Sequence, residues 1–287
     1  MKRWADEGLV QATRTVGGHR RIPLSEAIRF IRHIGATITH PDILGLQELA
    51  TLPAAATSGK SAGEALYAAL ESGDAAVCRG LVQSMYVGGM SVAQICDGPV
   101  REAMVRMGEL WLHQEWGIAV EHRATDICIQ ALNQLRFLQP APRDDAPVAL
   151  GGAAEEDPYM LPSLACAAVA TEAGLRDINL GPRTPLRVML NAAKHYHASL
   201  VWITISTASE PRKLAEDLAN MANALQPQRC SVIIGGRSAG QFLPADIPGV
   251  HTSGTMAQLS AFARGLTAGS GQPPTVGPDR ANDHSGS

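Results

Sequence analysis

Three groups of residues have types and spacings that could do chemistry. The first is the run Arg14-Thr15-Val16-Gly17-Gly18-His19-Arg20-Arg21, with Lys2 and Arg3 upstream of it. Guanidinium groups neutralise phosphates, and paired glycines permit a tight turn whose backbone can approach a polyanion closely. Residues 1–34 hold seven Lys and Arg against three Asp and Glu, although the whole chain of 287 residues carries a formal net charge of −3. A small basic segment on an acidic body fits one surface for a polyanion. On charge alone, a solvated basic loop is equally open. The second group is Trp111 followed, within "WLHQEWGIAVEH", by Glu121 and His122. Alone, it reads as a core indole and a satisfied surface pair. The third group lies at the ends of apolar runs: "GGAAEEDPY", "TIST" with Thr204 and Ser206, and "GGRSAG" with Gly235 and Gly236. In an open parallel sheet, ligands lie beyond the carboxyl ends of the strands, where small residues and hydroxyls allow close approach.

The elements that must position these residues follow from periodicity. "WADEGLVQATRTVGGHRRI" fits a short helix and then a β-wing, and Ser25 is expected to cap a helix, "EAIRFIRHI", that stops at Gly35. Residues 39–60 read as a linker with one helical piece, "DILGLQEL". From 61 to 138, apolar residues recur at three- and four-residue spacing in four segments, which predicts a four-helix bundle. Ser91 and Gln94 have the spacing of a capping box. "QPAPRDDAP" is a break. Strands and helices then alternate from 146 to 268 as a doubly wound parallel, Rossmann-like sheet with four strands, "VALGGA", "RDINLG", "SLVWITIST" and "CSVIIGG". The Gly/Ser/Pro-rich tail 269–287 is expected to be disordered. The fold class is therefore multidomain, α followed by α/β.

Composition narrows the function classes. Aromatics make up only 4% of the residues, so the core must be mostly Ala, Leu, Val, Ile and Met. The five cysteines are scattered in apolar surroundings without a C-x-x-C pair, as expected of reduced, buried thiols in a cytoplasmic protein. No apolar run has the ~18 residues of a membrane span, and no secretory signal is seen at the start. No hydrolytic or phosphate-loop motif is found, so an enzyme is not expected.

The run "RTVGGHRRI", preceded by Trp4 and Gly8-Leu9, resembles the winged helix-turn-helix of MerR-type transcription regulators. That family begins with one more helix and turn before "KRWADEGL", so residues 1–38 are expected to form a partial motif. The resemblance implies that Lys2, Arg3, Arg14, Thr15, His19, Arg20 and Arg21 contact a double-stranded operator. The bundle with its Trp111…Glu121-His122 spacing, fused to the parallel sheet, resembles a cobalamin-binding module. The two together resemble the light-sensing, adenosylcobalamin-dependent repressors of carotenoid genes, the CarH type.

This resemblance implies that Trp111 and Glu121, with His122 beside them, flank the upper face of a corrin. It places Asp157 and Tyr159 on the loop below the ring, and Thr204, Ser206, Gly235 and Gly236 at its edge. The family's lower loop reads Asp-x-His-x-x-Gly, and that His binds cobalt; here the sequence is Asp157-Pro158-Tyr159-Met160-Leu161-Pro162. A family His directly after the Trp is Leu112 here. Hence no protein ligand to a metal is assigned. Cobalamin, in the adenosyl form, is the expected cofactor. Haem, a bilin or no ligand is the alternative, and a corrinoid carrier for methyl transfer or a mutase is a third reading. The implied assembly is a homo-oligomer, dimer or tetramer, on DNA.

Overall fold

The computed structural model describes Trp4 and residues 7–110, 116–242 and 247–268. The chain begins with a two-stranded antiparallel hairpin, β1 (Thr13–Arg14) and β2 (Arg20–Arg21). Helix α1 (Leu24–Ile34) follows and ends at Gly35, whose φ of 64° permits the left-handed cap. Ser25 does not cap it: the N-cap is Pro23, with no side-chain hydrogen bond. A proline with its φ already fixed sets the chain direction into the first turn, which leaves Ser25 inside the helix. Val10, Ile28 and Phe30 are buried. The Trp4 and Phe30 rings lie 4.8 Å apart.

Residues 41–57 are more structured than a linker. A 3₁₀ turn (Pro41–Leu44) and two short helices, α2 (Gln47–Ala50) and α3 (Ala54–Thr57), occupy them, and Leu46 is 2% exposed. The expected helix over "DILGLQEL" is broken at Gly45, whose φ is 76°. Gly80 matters here: a Cβ at that position would meet the Glu48 carbonyl at 2.6 Å, so its absence lets the segment lie against the bundle.

The bundle comprises α4 (Ala62–Ser72), α5 (Ala75–Val87), α6 (Val92–Ile95), α7 (Arg101–Leu110) and α8 (Gly117–Leu138). The capping box of Ser91 and Gln94 is present, and Ser61 with Glu64 makes a second. The expected long helix from 91 is interrupted by a π-turn, Cys96–Val100, that contains Pro99. Proline has no N–H to donate and its ring clashes with the carbonyl four residues back, so the helix widens there. Leu66, Leu70, Ile95, Met107, Leu132 and Leu135 are at most 1% exposed. Each such side chain contributes roughly 1.5–3 kcal/mol of burial free energy.

The second half is a five-stranded parallel sheet of β3 (Val148–Ala153), β4 (Arg176–Asn179), β5 (Leu200–Thr204), β6 (Ser231–Gly235) and β7 (Val250–Ser253), in the order β4-β3-β5-β6-β7. The sequence shows four of these strands. The fifth, "VHTS", is an edge strand that is only partly buried, so it lacks the apolar run that marks the others. Helices α9 (Leu161–Glu172) and α13 (Met256–Thr267) cover one face; α10 (Leu186–His195) and α11 (Pro211–Leu225) cover the other. A short helix, α12 (Ala239–Phe242), lies after β6. The bundle packs outside α9 and α13, so Ala149, Leu200, Trp202 and Ile233 share one core with it. Val148, Leu150, Val201, Ile203, Val232 and Ile234 form a separate core with α10 and α11. All five cysteines are free and buried. Among the described residues no helix is long and apolar enough to cross a membrane.

Two carboxylates join bundle and sheet by capping each other's helices. Asp97, in the π-turn, accepts from Met256 N (2.8 Å) and Ala257 N (2.9 Å) at the start of α13. Glu172, at the end of α9, accepts from Val92 N (2.8 Å) at the start of α6. Asp97→Ala should therefore cost about 1–2 kcal/mol, the usual cost of losing a cap, read as a lower urea midpoint. Glu172 behaves differently with pH. Burial raises its pKa above 4.5, offset in part by the Val92 bond and by Arg32 and Arg264. A carboxyl whose folded pKa is raised contributes stability fully below its unfolded pKa, and that contribution is lost as pH rises through the folded value. Glu172→Gln should thus gain stability relative to the parent as pH rises from 4.5 through the raised pKa, with no further change above that value. A parallel pair of stability–pH curves across that window would contradict this.

Candidate functional site

The strand order reverses between β3 and β5, since the chain passes from β3 outward to β4 and then crosses back to β5. The carboxyl ends of β3 and β5 therefore border the crevice where ligands of such sheets bind. The residues expected there from sequence do meet. Asp157 is fully buried, and its carboxylate accepts from Ser206 N (2.6 Å) and Tyr159 N (2.9 Å). Its own carbonyl accepts from Arg183 N at 2.9 Å, which fastens the loop after β4. Ala153, Thr204 and Gly235 stand side by side in register across the three strands. A Cβ on Gly235 would meet the Ser253 carbonyl at 2.7 Å, and one on Gly236 the Ile205 carbonyl at 2.6 Å; Gly236 also has φ 110°. Only glycine lets the β6 turn lie this close to β5 and β7.

Thr204 is 2% exposed, and its hydroxyl oxygen has no hydrogen-bond partner among the described residues. Leaving such a group unmet costs about 1–3 kcal/mol. An orphan hydroxyl in a row of small residues at the switch point fits the polar rim of a large ring. The loop below is less accommodating to a metal. Tyr159 stands where the resembled family has its ligand His; it is 43% exposed, and a phenol binds cobalt only after losing its proton. The edge thus fits the periphery of a corrin, and the loop offers it no imidazole. Among the described residues, no group of three His, Cys, Asp or Glu is placed to hold a metal ion.

Glu121 and His122 lie in the first turns of α8, with His122 Nε2 3.7 Å from the Glu121 carboxylate and Thr125 donating to Glu121 at 3.3 Å. The other end of α8 is fixed to the sheet domain: Arg136 pairs with Asp177 of β4 at 2.5 Å, and Gln139 donates to the Ala168 carbonyl of α9 at 2.9 Å. Trp111 lies outside the described residues, as do Lys2 and Arg3.

The hairpin gathers the remaining basic residues. Arg14 pairs with Arg20 and Thr13 with Arg21 across its two strands, and Arg14, His19, Arg20 and Arg21 are all exposed. Thr15 is used locally: its N–H donates to His19 O at 2.8 Å, and its hydroxyl accepts from His19 N at 3.2 Å. Gly18, at φ 79°, supplies the left-handed position of the turn. The hairpin is held to α1 by Glu26, which accepts from Gln11 N (2.8 Å) and from Arg29 (2.7 Å). The Arg29 hydrogen bond, and then Gln11, hold the Glu26 carboxyl below its usual range against the opposing effect of burial.

Several participants are missed in sequence. Glu156 accepts from the Ser209 amide at 2.7 Å and from its hydroxyl, which ties the lower loop to the turn after β5. Ser238 donates to the Ser206 carbonyl. Two adjacent acids directly after a buried strand are the available signal. The contacts themselves, 53 residues apart for Glu156 with Ser209 and 32 for Ser206 with Ser238, are set only by the parallel register.

Residues 62–136 match the protein family described as B12 binding domain. No curated protein sequence matches the chain. Among solved structures, the chain is similar to the monomethylamine corrinoid protein of Methanosarcina barkeri, at 15% identity and a TM-score of 0.50 over 69% of this chain and 95% of that one. It is also similar to a novel cobalamin-binding protein from Desulfitobacterium hafniense (18% identity, TM-score 0.35, 72% and 96% covered). A third similarity is to the methanol:cobalamin methyltransferase complex MtaBC of Methanosarcina barkeri (14% identity, TM-score 0.38, 81% and 94% covered). The helical bundle of this chain is thus a match to the B12 binding domain family, and its bundle-and-sheet fold is shared with the monomethylamine corrinoid protein.

Proposed function

We propose that this chain is a DNA-binding transcription regulator, acting as a repressor, whose bundle and sheet sense cobalamin. One observation carries the reading: an exposed hairpin bearing Arg14, Arg20 and Arg21 precedes a segment, 62–136, that matches the B12 binding domain. The hairpin supplies charge and backbone access for phosphates. Thr204, Ser206, Gly235 and Gly236 would hold the ring's edge, with Glu121 and Trp111 on its upper side. An alkylated cobalamin, when bound, supplies a photolabile cobalt–carbon bond, by which light would be the signal. A single small reader touches too little DNA for specific repression, so paired half-sites and a dimer or tetramer are part of the proposal.

A corrinoid carrier is the second reading, favoured by the likeness to the monomethylamine corrinoid protein. That likeness extends to fold. A carrier role leaves the basic hairpin unexplained, and Tyr159 in place of an imidazole removes the usual means of tuning cobalt.

Replacing Arg20 and Arg21 by Ala should weaken binding to a duplex pool and reduce the log–log salt slope by roughly 0.9 per lost phosphate contact. Titration by fluorescence anisotropy at several salt concentrations measures this, and an unchanged slope would remove the hairpin from the interface. The ligand is checked by supplying aquocobalamin, adenosylcobalamin, haem and biliverdin in parallel and recording co-elution and the visible spectrum. A cobalamin should be retained, Trp111→Ala should reduce that retention, and Tyr159→Phe should leave the spectrum unchanged. Retention of haem alone, with a spectrum that shifts in Tyr159→Phe, would establish a tyrosinate–iron site instead.

A further inference from the structure

Three elements take hold of residues 90–97, the short run that leads from α5 into the π-turn. Met90 O accepts from Arg32 Nη1 at 2.9 Å, and the same nitrogen donates to Tyr86 O. Between these two carbonyls lie Gly88 and Gly89, the latter at φ 108°, where the chain turns from α5 toward α6. Val92 N donates to Glu172 of α9 at 2.8 Å. Asp97 accepts from the amides of Met256 and Ala257 at the start of α13. One run of chain is therefore held by α1 at its first residue, by α9 at its third and by α13 at its last.

Arg32 stands in the last turn of α1, the helix that carries the basic hairpin. Glu26 of this helix accepts from Gln11 N, and Arg29 donates to Leu9 O at 2.9 Å, so hairpin and helix move together. The seat of α1 on the bundle is apolar: Ile28 is fully buried in the bundle's core, and Leu24 and Ile31 lie partly buried against it. Apolar contacts are non-directional and let a helix tilt at little cost. Hydrogen bonds are directional, and Arg32 supplies them. Its guanidinium spans the two carbonyls, lies over the Tyr86 ring at 3.8 Å and faces Glu172 at 3.6 Å. Glu172 in turn feels the charge of Arg264, on α13, together with that of Arg32. The angle of α1 is thus set by a residue whose partners belong to the junction between bundle and sheet.

We propose that α1 is a lever on the bundle–sheet junction, with Ile28 as its seat and Arg32 as its latch to residues 90–97, so that a change in how α9 and α13 hold that run is passed to the basic hairpin. Arg32 is a positioning residue in this account. The proposal is independent of what the crevice holds and of what the hairpin touches.

The test is a double-mutant cycle on the full chain, read by amide hydrogen exchange without added ligand. Asp97→Ala removes the cap of α13 at a site Arg32 does not touch. It should speed exchange at the start of α13 about 5- to 30-fold, the population equivalent of a lost cap. Amides of α1 and the hairpin that exchange faster than those of β5 open locally, and a local opening does not sense a distant cap unless the two are coupled. With Arg32 present, Asp97→Ala should also speed exchange in α1 and at Gln11 and Thr15, about twofold or more. In Arg32→Gln those amides should already be faster, and adding Asp97→Ala should change them no further while the start of α13 still responds. Exchange in α1 and the hairpin that ignores Asp97→Ala overturns the proposal. So does a response of equal size with and without Arg32, which would mean that the apolar seat alone carries the coupling. Should Asp97→Ala not fold, Asp97→Asn weakens the same cap. Should Arg32→Gln not fold, Arg32→Lys keeps the charge facing Glu172 but lacks the fork that spans two carbonyls. Either replacement is read in the same way.

Discussion

One half-buried carboxylate holds three parts of the molecule to each other. Glu172 ends a helix of the sheet, caps a helix of the bundle through Val92 N, and faces Arg32, 3.6 Å away, at the end of the helix that follows the basic hairpin. Arg32 also donates to the carbonyls of Tyr86 and Met90 and lies over the Tyr86 ring, 3.8 Å from its centre. A guanidinium with five donors in a rigid fork can serve several elements at once, which a lysine could not. Asp97 makes the reciprocal tie from bundle to sheet. Partly buried pairs gain little net energy, because desolvation offsets attraction, but losing one partner strands the other. Their effect is on geometry: they fix where the bundle lies on the sheet, and so where α8 carries Glu121.

Much of this architecture is legible in the sequence because its local signals agree with its long-range packing. β3 and β5 are unbroken apolar runs, as strands covered on both faces must be, and the bundle's helices repeat at the spacing of one buried stripe. Ser91 and Gln94 announce a helix start correctly. The misreadings occur where tertiary structure decides. β7 is assigned a strand by its pairing with β6, since four residues of which only Ser253 is buried have no pattern of their own. Residues 41–57 read as a linker because short helices carry too few turns to show a period, yet Leu46 is drawn into the bundle. Pro99 gives a clear signal, but sequence does not tell whether a helix ends or widens around it.

The site divides along the same line. Glycines at the end of β6 and hydroxyls at the end of β5 could be placed from strand order and the rule for open sheets. What the sequence could not show is which of them are already engaged. Asp157 looks like the first residue of a ligand motif, and it proves to be a buried clasp on Ser206 and Tyr159. Thr204 looks like any strand hydroxyl, and among the described residues it is a buried one left without a partner.

The five cysteines have a chemical consequence for whatever the crevice holds. Burial pushes the thiols of Cys78, Cys128, Cys166 and Cys230 up to about 12, and Cys96 is raised as well, by burial first and then by Asp97. Reduction and dealkylation by sulfur proceed through the thiolate, and at neutral pH these residues have almost none. The protein therefore presents an electron-quiet interior to an oxidisable or alkylated centre. The same quiet makes the molecule a clean background for labelling, since one cysteine introduced on the hairpin would be the reactive thiol among six.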